Sequence, residues 1–235
     1  MRHIPKIRGF GLIAAAIIAA ALATPSDAVS QANKKEPAAA PAPAGAPSLA
    51  STTAAQVEGF RSARFGMNEA DVKTAIMKDF NVKADAIHEQ ANPGERTKAL
   101  LVRVPDLLPG GGTAEVSYVF GYQSKKLIQV SASWSKASDE KMTPEQLFSN
   151  SSILRAHFMG EGFKPDTVAT NMPVNGGVLM FRGSDAKDRS AILILQGTFT
   201  EGENKQRILT PTGLLLFYVA DAKTPDIYKL PPGSF

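Results

Sequence analysis

The chain has 235 residues, no cysteine, 26 lysine or arginine residues and 22 aspartate or glutamate residues, which gives a formal charge of +4. The absence of cysteine excludes a disulfide framework, thiol redox chemistry and a lipid-modified N-terminal cysteine. Residues 1–56 hold five of the basic residues and two of the acidic ones, which leaves 21 basic and 20 acidic residues for 57–235. A nearly neutral domain with scattered basic residues is not a nucleic-acid binder, because phosphate binding requires clustered positive charge.

The N-terminus predicts a secretory signal peptide. Arg2, Lys6 and Arg8 precede an uninterrupted run of apolar or small residues over 10–23, and these are the charged and hydrophobic regions of such a signal. The run has fourteen residues, whereas a membrane-spanning helix needs about 20. We therefore expect export to a bacterial periplasm, with retention of the signal as an anchor left as the alternative.

The signal is followed by a linker rich in alanine and proline. The bonds at which small residues permit signal cleavage lie after Ala23, Ala28 and Ala32. Cleavage after Ala28 is preferred, so residues 1–28 are predicted to be the signal peptide and 29–56 the linker. Leu49 is the only large aliphatic residue between 33 and 56. So little apolar surface cannot offset the entropy of ordering the chain, and the linker is predicted to be disordered.

Residues 57–235 are predicted to form a single α+β domain, which is long enough to bury about two-thirds of its unfolded surface. Its first helix is predicted over 69–79. Asn68 is placed to cap this helix, and Asp71 occupies the third helical position, as in a capping box. One apolar face at helical spacing is formed by Val72, Ala75, Ile76 and Phe80.

Three antiparallel strands are predicted next, over 98–104, 114–121 and 127–134. In the second strand, Glu115 and Ser117 alternate with apolar residues. In the third strand the polar positions are Gln129, Ser131 and Ser133. This alternation predicts that one face of the sheet packs on the helix and that the other face is in contact with water.

The pattern of one helix and three strands then occurs again. Thr143 as cap, Pro144 at the first helical position and Gln146 at the third predict a second helix, which ends at Gly160 or Gly162. The strands predicted after it lie over 177–182, 190–196 and 213–220. The predicted fold class is therefore α+β, with two helix-plus-three-strand units that form a curved antiparallel sheet with helices on one face.

This pseudo-repeat divides the domain into 57–138 and 139–235. The segments 191–195 and 214–219 of the second unit are apolar at every position. Such strands are covered on both faces, or one of their faces meets a partner.

A family resemblance follows from residues 65–72, which read Phe-Gly-Met-Asn-Glu-Ala-Asp-Val, and from the hairpin that joins 118–121 to 127–128. Together they resemble the repeat of the beta-lactamase-inhibitor-protein-like architecture, and the helix start is similar to that of the small outer-membrane assembly lipoproteins. The resemblance implies helices on one face of a curved antiparallel sheet whose open surface binds another protein. The second unit lacks the Gly-Met phrase, and the absence of cysteine departs from the lipoproteins, so no partner is carried over.

The sequence predicts no catalytic residue, no metal site and no cofactor. His157 and Glu161 are four residues apart on the second helix, but a third metal ligand at motif spacing is missing. The tetrapeptide 133–136 reads Ser-Trp-Ser-Lys, yet the corresponding serine of penicillin-binding enzymes begins a helix, whereas Ser133 is predicted in a strand. An active site assembled from carboxylates on distant segments would leave no such spacing, so that alternative stays open.

We therefore predict a non-enzymatic periplasmic module that binds an envelope protein and has no stable membrane span after signal cleavage. The candidate binding residues are Glu115, Ser117, Gln129, Ser131, Ser133 and Trp134. The apolar strands near Leu193 and Leu216 are the other candidate contact surface. The alternative functions are binding of a small ligand or cell-wall fragment, in a pocket lined by Trp134, Tyr118 and Tyr122, and an enzyme without a recognisable motif.

Overall fold

The computed structural model describes residues 53–202, 205–231 and 233–234. Within them the chain forms two α-helices, Glu69–Phe80 (α1) and Pro144–Met159 (α2), and ten β-strands. The strands are Gly59–Phe60 (β1), Ala63–Arg64 (β2), His88–Asn92 (β3), Thr97–Val104 (β4), Ala114–Phe120 (β5), Leu127–Ser135 (β6), Met172–Val174 (β7), Gly177–Ser184 (β8), Ser190–Glu201 (β9) and Arg207–Val219 (β10). The predicted signal peptide and the predicted linker up to residue 52 lie outside the described residues.

Both helices begin where the sequence predicts, because their caps form. The side chain of Asn68 accepts a hydrogen bond from the backbone N–H of Asp71 at 3.0 Å. Thr143 accepts one from the N–H of Gln146 at 3.2 Å, with proline at the first helical position. Each cap satisfies an N–H that has no partner within the helix. Helix α1 ends one residue later than predicted.

Strands β3–β10 form one antiparallel sheet in the order β3-β4-β5-β6-β10-β9-β8-β7, and β1 and β2 form a separate small hairpin. The α+β class with a large antiparallel sheet is therefore confirmed. The strands that follow α1 and those that follow α2 meet at the β6–β10 pair, where seven residue pairs run from Gly213–Ser135 to Val219–Gln129.

All six predicted strands are present, but four strands of the sheet follow each helix instead of three. The additional strands, β3 and β7, lie at the two edges of the sheet. Strand β3 reads His-Glu-Gln-Ala-Asn and β7 reads Met-Pro-Val. Neither has the length and apolar alternation from which strands are predicted, and edge positions tolerate both polar residues and proline.

Strands β9 and β10 are longer than predicted and continue as a two-stranded extension, which we call the arm (residues 197–202 and 205–212). In the arm Gly197 lies opposite Pro211, and the register shifts between Pro211 and Gly213. Glycine and proline both lower strand propensity. For that reason the sequence pattern predicts that β9 ends at residue 196 and that β10 begins at residue 213, and it omits the arm between them.

The main core lies between the sheet and both helices. Directly opposed residues of neighbouring strands share a face, and the residues that share the inner face join the helix residues in one buried cluster. Its members include Val72 and Ile76 of α1, Leu147, Leu154 and Phe158 of α2, and Leu100, Tyr118, Val130, Trp134, Leu193 and Leu216 of the sheet. Leu193 and Leu216 are 0% and 3% exposed, so these two predicted contact residues belong to the core.

The N-terminal part of the described chain is hydrogen-bonded to residues that follow α2. Ala54 pairs with Gly162 in a parallel bridge, and the N–H of Ala55 donates to the carbonyl of Gly162 at 3.0 Å. The N–H of Val57 donates to the buried carboxylate of Asp185 at 3.0 Å. These contacts begin before residue 57, where the domain is predicted to start.

Candidate functional site

The candidate site is the face of the large sheet opposite the main core. We call it the open face, because the residue clusters place α1 and α2 on the other side of the sheet. Its residues on the central strands, as the register assigns them, are Ala99, Leu101, Arg103, Glu115, Ser117, Val119, Gln129, Ser131, Ser133, Leu215, Phe217, Val219, Ile192, Ile194, Leu179 and Arg182. The strands β4–β6 contribute its polar side chains, and β8–β10 contribute most of its apolar ones.

Short side chains form a depression along β5 and β6. Ser117 lies opposite Ser131, and this pair is flanked across the sheet by Leu101 on β4 and Phe217 on β10. In the next row, Ser133 lies between Glu115 and Leu215. We call Ser117, Ser131 and Ser133 the serine trough. Because serine is shorter than these neighbours, the serine side chains extend less far from the sheet than the side chains on either side of them.

The structure brings five of the six predicted binding residues together on the open face. These are Glu115, Ser117, Gln129, Ser131 and Ser133. The three serines are only 8–9% exposed, so the face is less hydrated than the predicted wet face. Trp134 instead lies opposite Leu214 on the inner face and is 1% exposed, which removes it from the surface that a partner can reach.

Gln129 is the polar residue with unsatisfied hydrogen-bonding capacity on this face. It lies between Val119 and Val219 and is 1% exposed. Its Nε2 has no hydrogen-bond acceptor among the described residues. A buried amide donor without an acceptor costs about 1–3 kcal/mol, and a carbonyl or carboxylate oxygen is its chemical complement.

The second half of the open face carries an apolar cluster that is separate from the main core. We call it the apolar patch, and it consists of Leu179, Ile192, Ile194, Phe217 and Val219. Leu215, Ala169 and Ala222 pack against it. The strands predicted to be apolar on both faces thus bury one face under α2, and their other face is also largely buried, since the five residues of the apolar patch are only 5–8% exposed. The patch residues occupy alternate positions of those strands, and this spacing would have identified them from the sequence.

One end of the open face is bordered by the C-terminal segment, residues 221–231, which we call the strap. The carboxylate of Asp226 accepts hydrogen bonds from the N–H groups of Gln123 and Ser124, both at 2.9 Å, in the β5–β6 turn. Ala222 packs against the apolar patch. The strap contains no regular strand or helix, and for this reason the sequence pattern does not predict it.

The three aromatic residues of the predicted ligand pocket do not line a common opening. Tyr118 is 0% exposed on the inner face, like Trp134. Burial raises the pKa of the Tyr118 hydroxyl well above its usual range, and this hydroxyl has no hydrogen-bond partner among the described residues. Tyr122 packs edge-on against Tyr228 of the strap, with ring centroids 5.6 Å apart.

The structure also locates the two sequence patterns that were weighed as a metal site and as a nucleophilic serine. His157 Nε2 and Glu161 Oε1 are 3.9 Å apart and exposed, but only His157 lies on α2, because the helix ends at Met159, before Glu161. Ser133 lies within β6, and its hydroxyl donates to the carbonyl of Glu115 at 3.5 Å. Over the described ranges no group of three or more histidine, cysteine, aspartate or glutamate side chains is arranged to hold a metal ion.

A second surface feature is an apolar cavity of about 340 Å³ between the first turns of α2 and the arm. We call it the α2 groove, and it is lined by Pro144, Glu145, Phe148, Leu195, Leu209 and Pro211. Phe148 is 57% exposed. Hydrogen bonding at the start of the helix holds the pKa of Glu145 below its usual value, so the single carboxylate of the groove is ionised at neutral pH.

Comparisons of the chain with protein-family models, curated proteins and solved structures found no match. Neither of the described helices is long and apolar enough to cross a membrane.

Proposed function

We propose that this protein is an exported, non-enzymatic binding module of the bacterial envelope, and that a protein partner docks on the open face of its sheet. The observation that carries the proposal is a sheet face without helix cover, on which the serine trough runs beside the apolar patch. Protein interfaces combine an apolar centre with polar groups around it, and this face offers both side by side.

The chemistry of the face suits an extended partner segment. Each serine hydroxyl donates one hydrogen bond and accepts two, and no long side chain of the trough keeps a partner backbone away. Leu101, opposite Ser117, and Leu215, opposite Ser133, are partly exposed and supply apolar contact area on either side of the trough. The partner is therefore expected to place backbone polar groups over the serines and apolar side chains over Leu101 and Leu215.

Export is supported by the N-terminal sequence, where three basic residues precede the run 10–23. In this proposal the signal is removed after Ala28, and 29–52 connect the new N-terminus to Ala54. The antiparallel sheet and the core shared by both helices support the resemblance to the beta-lactamase-inhibitor-protein-like repeat, in which 57–138 and 139–235 are the units and the sheet is curved.

The alternative of a small ligand or cell-wall fragment has less support. The α2 groove has enough volume for a small ligand, because binding pockets span roughly 300–1,000 Å³. Its lining contains one polar side chain, that of Glu145, whereas a sugar or peptide fragment requires several converging polar groups. A ligand at one hundred times its dissociation constant would stabilise the fold by about 2.7 kcal/mol, so thermal unfolding with cell-wall fragments tests this alternative directly.

The proposed function is tested with a variant that fills the serine trough. The tagged protein is recovered from lightly crosslinked bacterial envelope, its partners are identified by mass spectrometry, and their affinities are measured. Ser131→Gln places a longer polar side chain between Ser117 and Phe217. We expect at least an approximately tenfold loss of affinity, equivalent to about 1.4 kcal/mol.

Ser152→Gln is the matched control, because Ser152 is exposed on α2, away from the open face. Both variants are first shown to unfold at the temperature of the wild type. A partner that binds Ser131→Gln and wild type equally well would rule out the open face as its docking surface.

A further inference from the structure

The end of the open face next to the β5–β6 turn is buried more deeply than the serine trough, although neither described helix covers it. Val119 and Gln129 lie opposite each other on β5 and β6, and each is 1% exposed. The serines of the trough are 8–9% exposed. A segment other than α1 and α2 therefore buries this end of the face.

The contacts of the strap place it across this end. Ala222 packs against the apolar patch, part of which lies on β10. Farther along the strap, Asp226 lies against Gly121, because a Cβ atom at that glycine would meet the Asp226 carboxylate. Gly121 follows Val119 by two positions and so lies on the same side of β5. Since β6 lies between β10 and β5, the strap crosses the end of β6 that carries Gln129.

Asp226 holds the strap in a carboxylate site made of backbone, which we call the nest (residues 121–124). Its carboxylate accepts hydrogen bonds from the N–H groups of Gln123 and Ser124, both at 2.9 Å. Its carbonyl accepts a third from the N–H of Tyr122 at 2.8 Å. Successive N–H groups in a turn bind anions in this way, and peptide carboxylates are recognised by such nests. The nest is a carboxylate site that the chain fills with its own aspartate.

The strap satisfies the nest but not the buried amide beside it. Nε2 of Gln129 has no acceptor among the described residues, although the strap crosses this end of the face. A buried donor without an acceptor costs free energy, and a carbonyl oxygen is its complement. An extended segment that fills the nest and also offers a carbonyl to Gln129 would therefore fit this end better than the strap does.

The other contacts of the strap lie at the surface. Lys223 Nζ is 3.4 Å from the carboxylate of Asp188, and the Lys223 side chain is 82% exposed. The N–H of Tyr228 donates to the carbonyl of Glu95 at 2.9 Å, and the Arg96 guanidinium lies 3.7 Å from the centre of the Tyr228 ring. No strand of the large sheet includes strap residues. The strap can therefore open without breaking the sheet, as segments of this kind do at a lower free energy than core strands.

We propose that the strap is an intramolecular occupant of a peptide-binding site, and that an extended partner segment carrying a carboxylate displaces it from the nest and from Gln129. This inference rests on the proposed function and adds to it the chemistry of the partner segment and a competitor within the chain. The strap lowers the affinity of the free protein for the partner, because this end of the face is accessible only in molecules whose strap is open.

The segment of the strap itself, supplied as a separate peptide, is the probe. A synthetic peptide of residues 221–230 is added to the full chain recovered from bacteria, and the side-chain amide signals of Gln129 are followed by nuclear magnetic resonance. We expect the peptide to bind Asp226→Ala at least about tenfold more tightly than wild type, because the strap of this variant no longer fills the nest. A peptide that carries the same Asp226→Ala change is expected not to bind.

Glu140→Ala is the matched control, because Glu140 is an exposed acidic residue outside the strap. It is expected to bind the peptide as wild type does. Both variants are first shown to be folded by amide signals of α2 and β8 at wild-type positions. In the wild type, hydrogen exchange of the Tyr122 and Tyr228 amides is expected to give one common opening free energy, lower than that of the slowest amides in β6.

Three results would overturn the proposal. The first is peptide binding that is absent, or equal in Asp226→Ala and in the wild type. The second is exchange of the Tyr228 amide only with the slowest amides of β6, since the strap would then open only on global unfolding. The third is a recovered envelope partner that binds Asp226→Ala no more tightly than wild type. Each would leave docking on the serine trough intact, because Ser131→Gln tests that docking separately.

Discussion

Gln129 combines two properties that rarely occur together in one side chain. It is buried between valines on the open face, and its Nε2 has no acceptor among the described residues. Natural proteins satisfy the great majority of buried donors, so a donor left unsatisfied in the free protein lowers its stability.

Replacement of this side chain by an apolar one of similar size tests that cost. We expect Gln129→Leu to raise the free energy of unfolding by about 1 kcal/mol, because the unsatisfied amide disappears while its volume is kept. Urea denaturation of the purified protein measures the change. Gln123→Leu is the control, since Gln123 is exposed in the β5–β6 turn. A lower free energy of unfolding for Gln129→Leu would mean that the amide is satisfied in solution.

Helix α1 is joined to the edge of the sheet by four alternating charges. Lys73 lies 2.9 Å from Glu69 and 2.8 Å from Glu89, and Lys98 lies at the same two distances from those carboxylates. Glu89 belongs to β3, the edge strand that the sequence pattern does not predict. Ion pairs of Glu89 with Lys73 on α1 and Lys98 on β4 explain why this polar strand, which has little apolar surface, stays bound to the edge of the sheet.

This network predicts a pH dependence. Hydrogen bonds from Lys73 and Lys98 lower the pKa of Glu89 from 4.5 to about 2. The folded protein therefore favours the ionised carboxylate, and its stabilisation is present above pH 4.5 and is lost as the pH falls towards 2. We expect Glu89→Gln to be less stable than wild type at pH 6 and equally stable near pH 2, with urea unfolding as the measurement.

Two controls accompany this comparison. Glu201→Gln, an exposed position of the arm, is expected to show no such pH-dependent difference from wild type. High salt is expected to reduce the effect of Glu89→Gln at pH 6, because all four groups are partly exposed and are screened. An effect that persists at pH 2 would show that the side chain of Glu89 stabilises the edge by a mechanism other than charge.

At the scale of the whole molecule, the β6–β10 pair joins the two helix-and-strand units into one sheet. Leu216 lies opposite Ala132 of the first unit and Leu193 of its own unit, and it is 3% exposed. Residues of both units belong to the main core cluster. A continuous core of this kind predicts that the two units unfold together.

Leu216→Ala tests this cooperativity. Removal of a buried leucine side chain costs about 2–5 kcal/mol. If the units are coupled, hydrogen exchange of the slowest amides in β5 and in β9 is accelerated to the same extent. Leu230→Ala is the control, because Leu230 is 58% exposed. Acceleration confined to β8–β10 would contradict the single cooperative unit.

The sequence by itself determined the elements whose signals are local. The caps at Asn68 and Thr143 and the alternation in β5 and β6 depend on residues a few positions apart, and both helices and all six predicted strands are present. The same alternation placed Glu115, Ser117, Gln129, Ser131 and Ser133 on one face, which the register bears out.

Only the tertiary structure decided what lies next to these elements. The edge strands β3 and β7 depend on neighbours for their hydrogen bonds, and the strap depends on the turn that Asp226 contacts. Trp134 alternates with the trough serines along β6, which predicts it on the helix-covered face, and its near-complete burial there comes from the core shared by both helices. The α2 groove unites Phe148 with Leu209, which are 61 positions apart. Local patterns record the conformation of a segment, whereas burial and pockets depend on contacts between distant segments, which a single sequence does not contain.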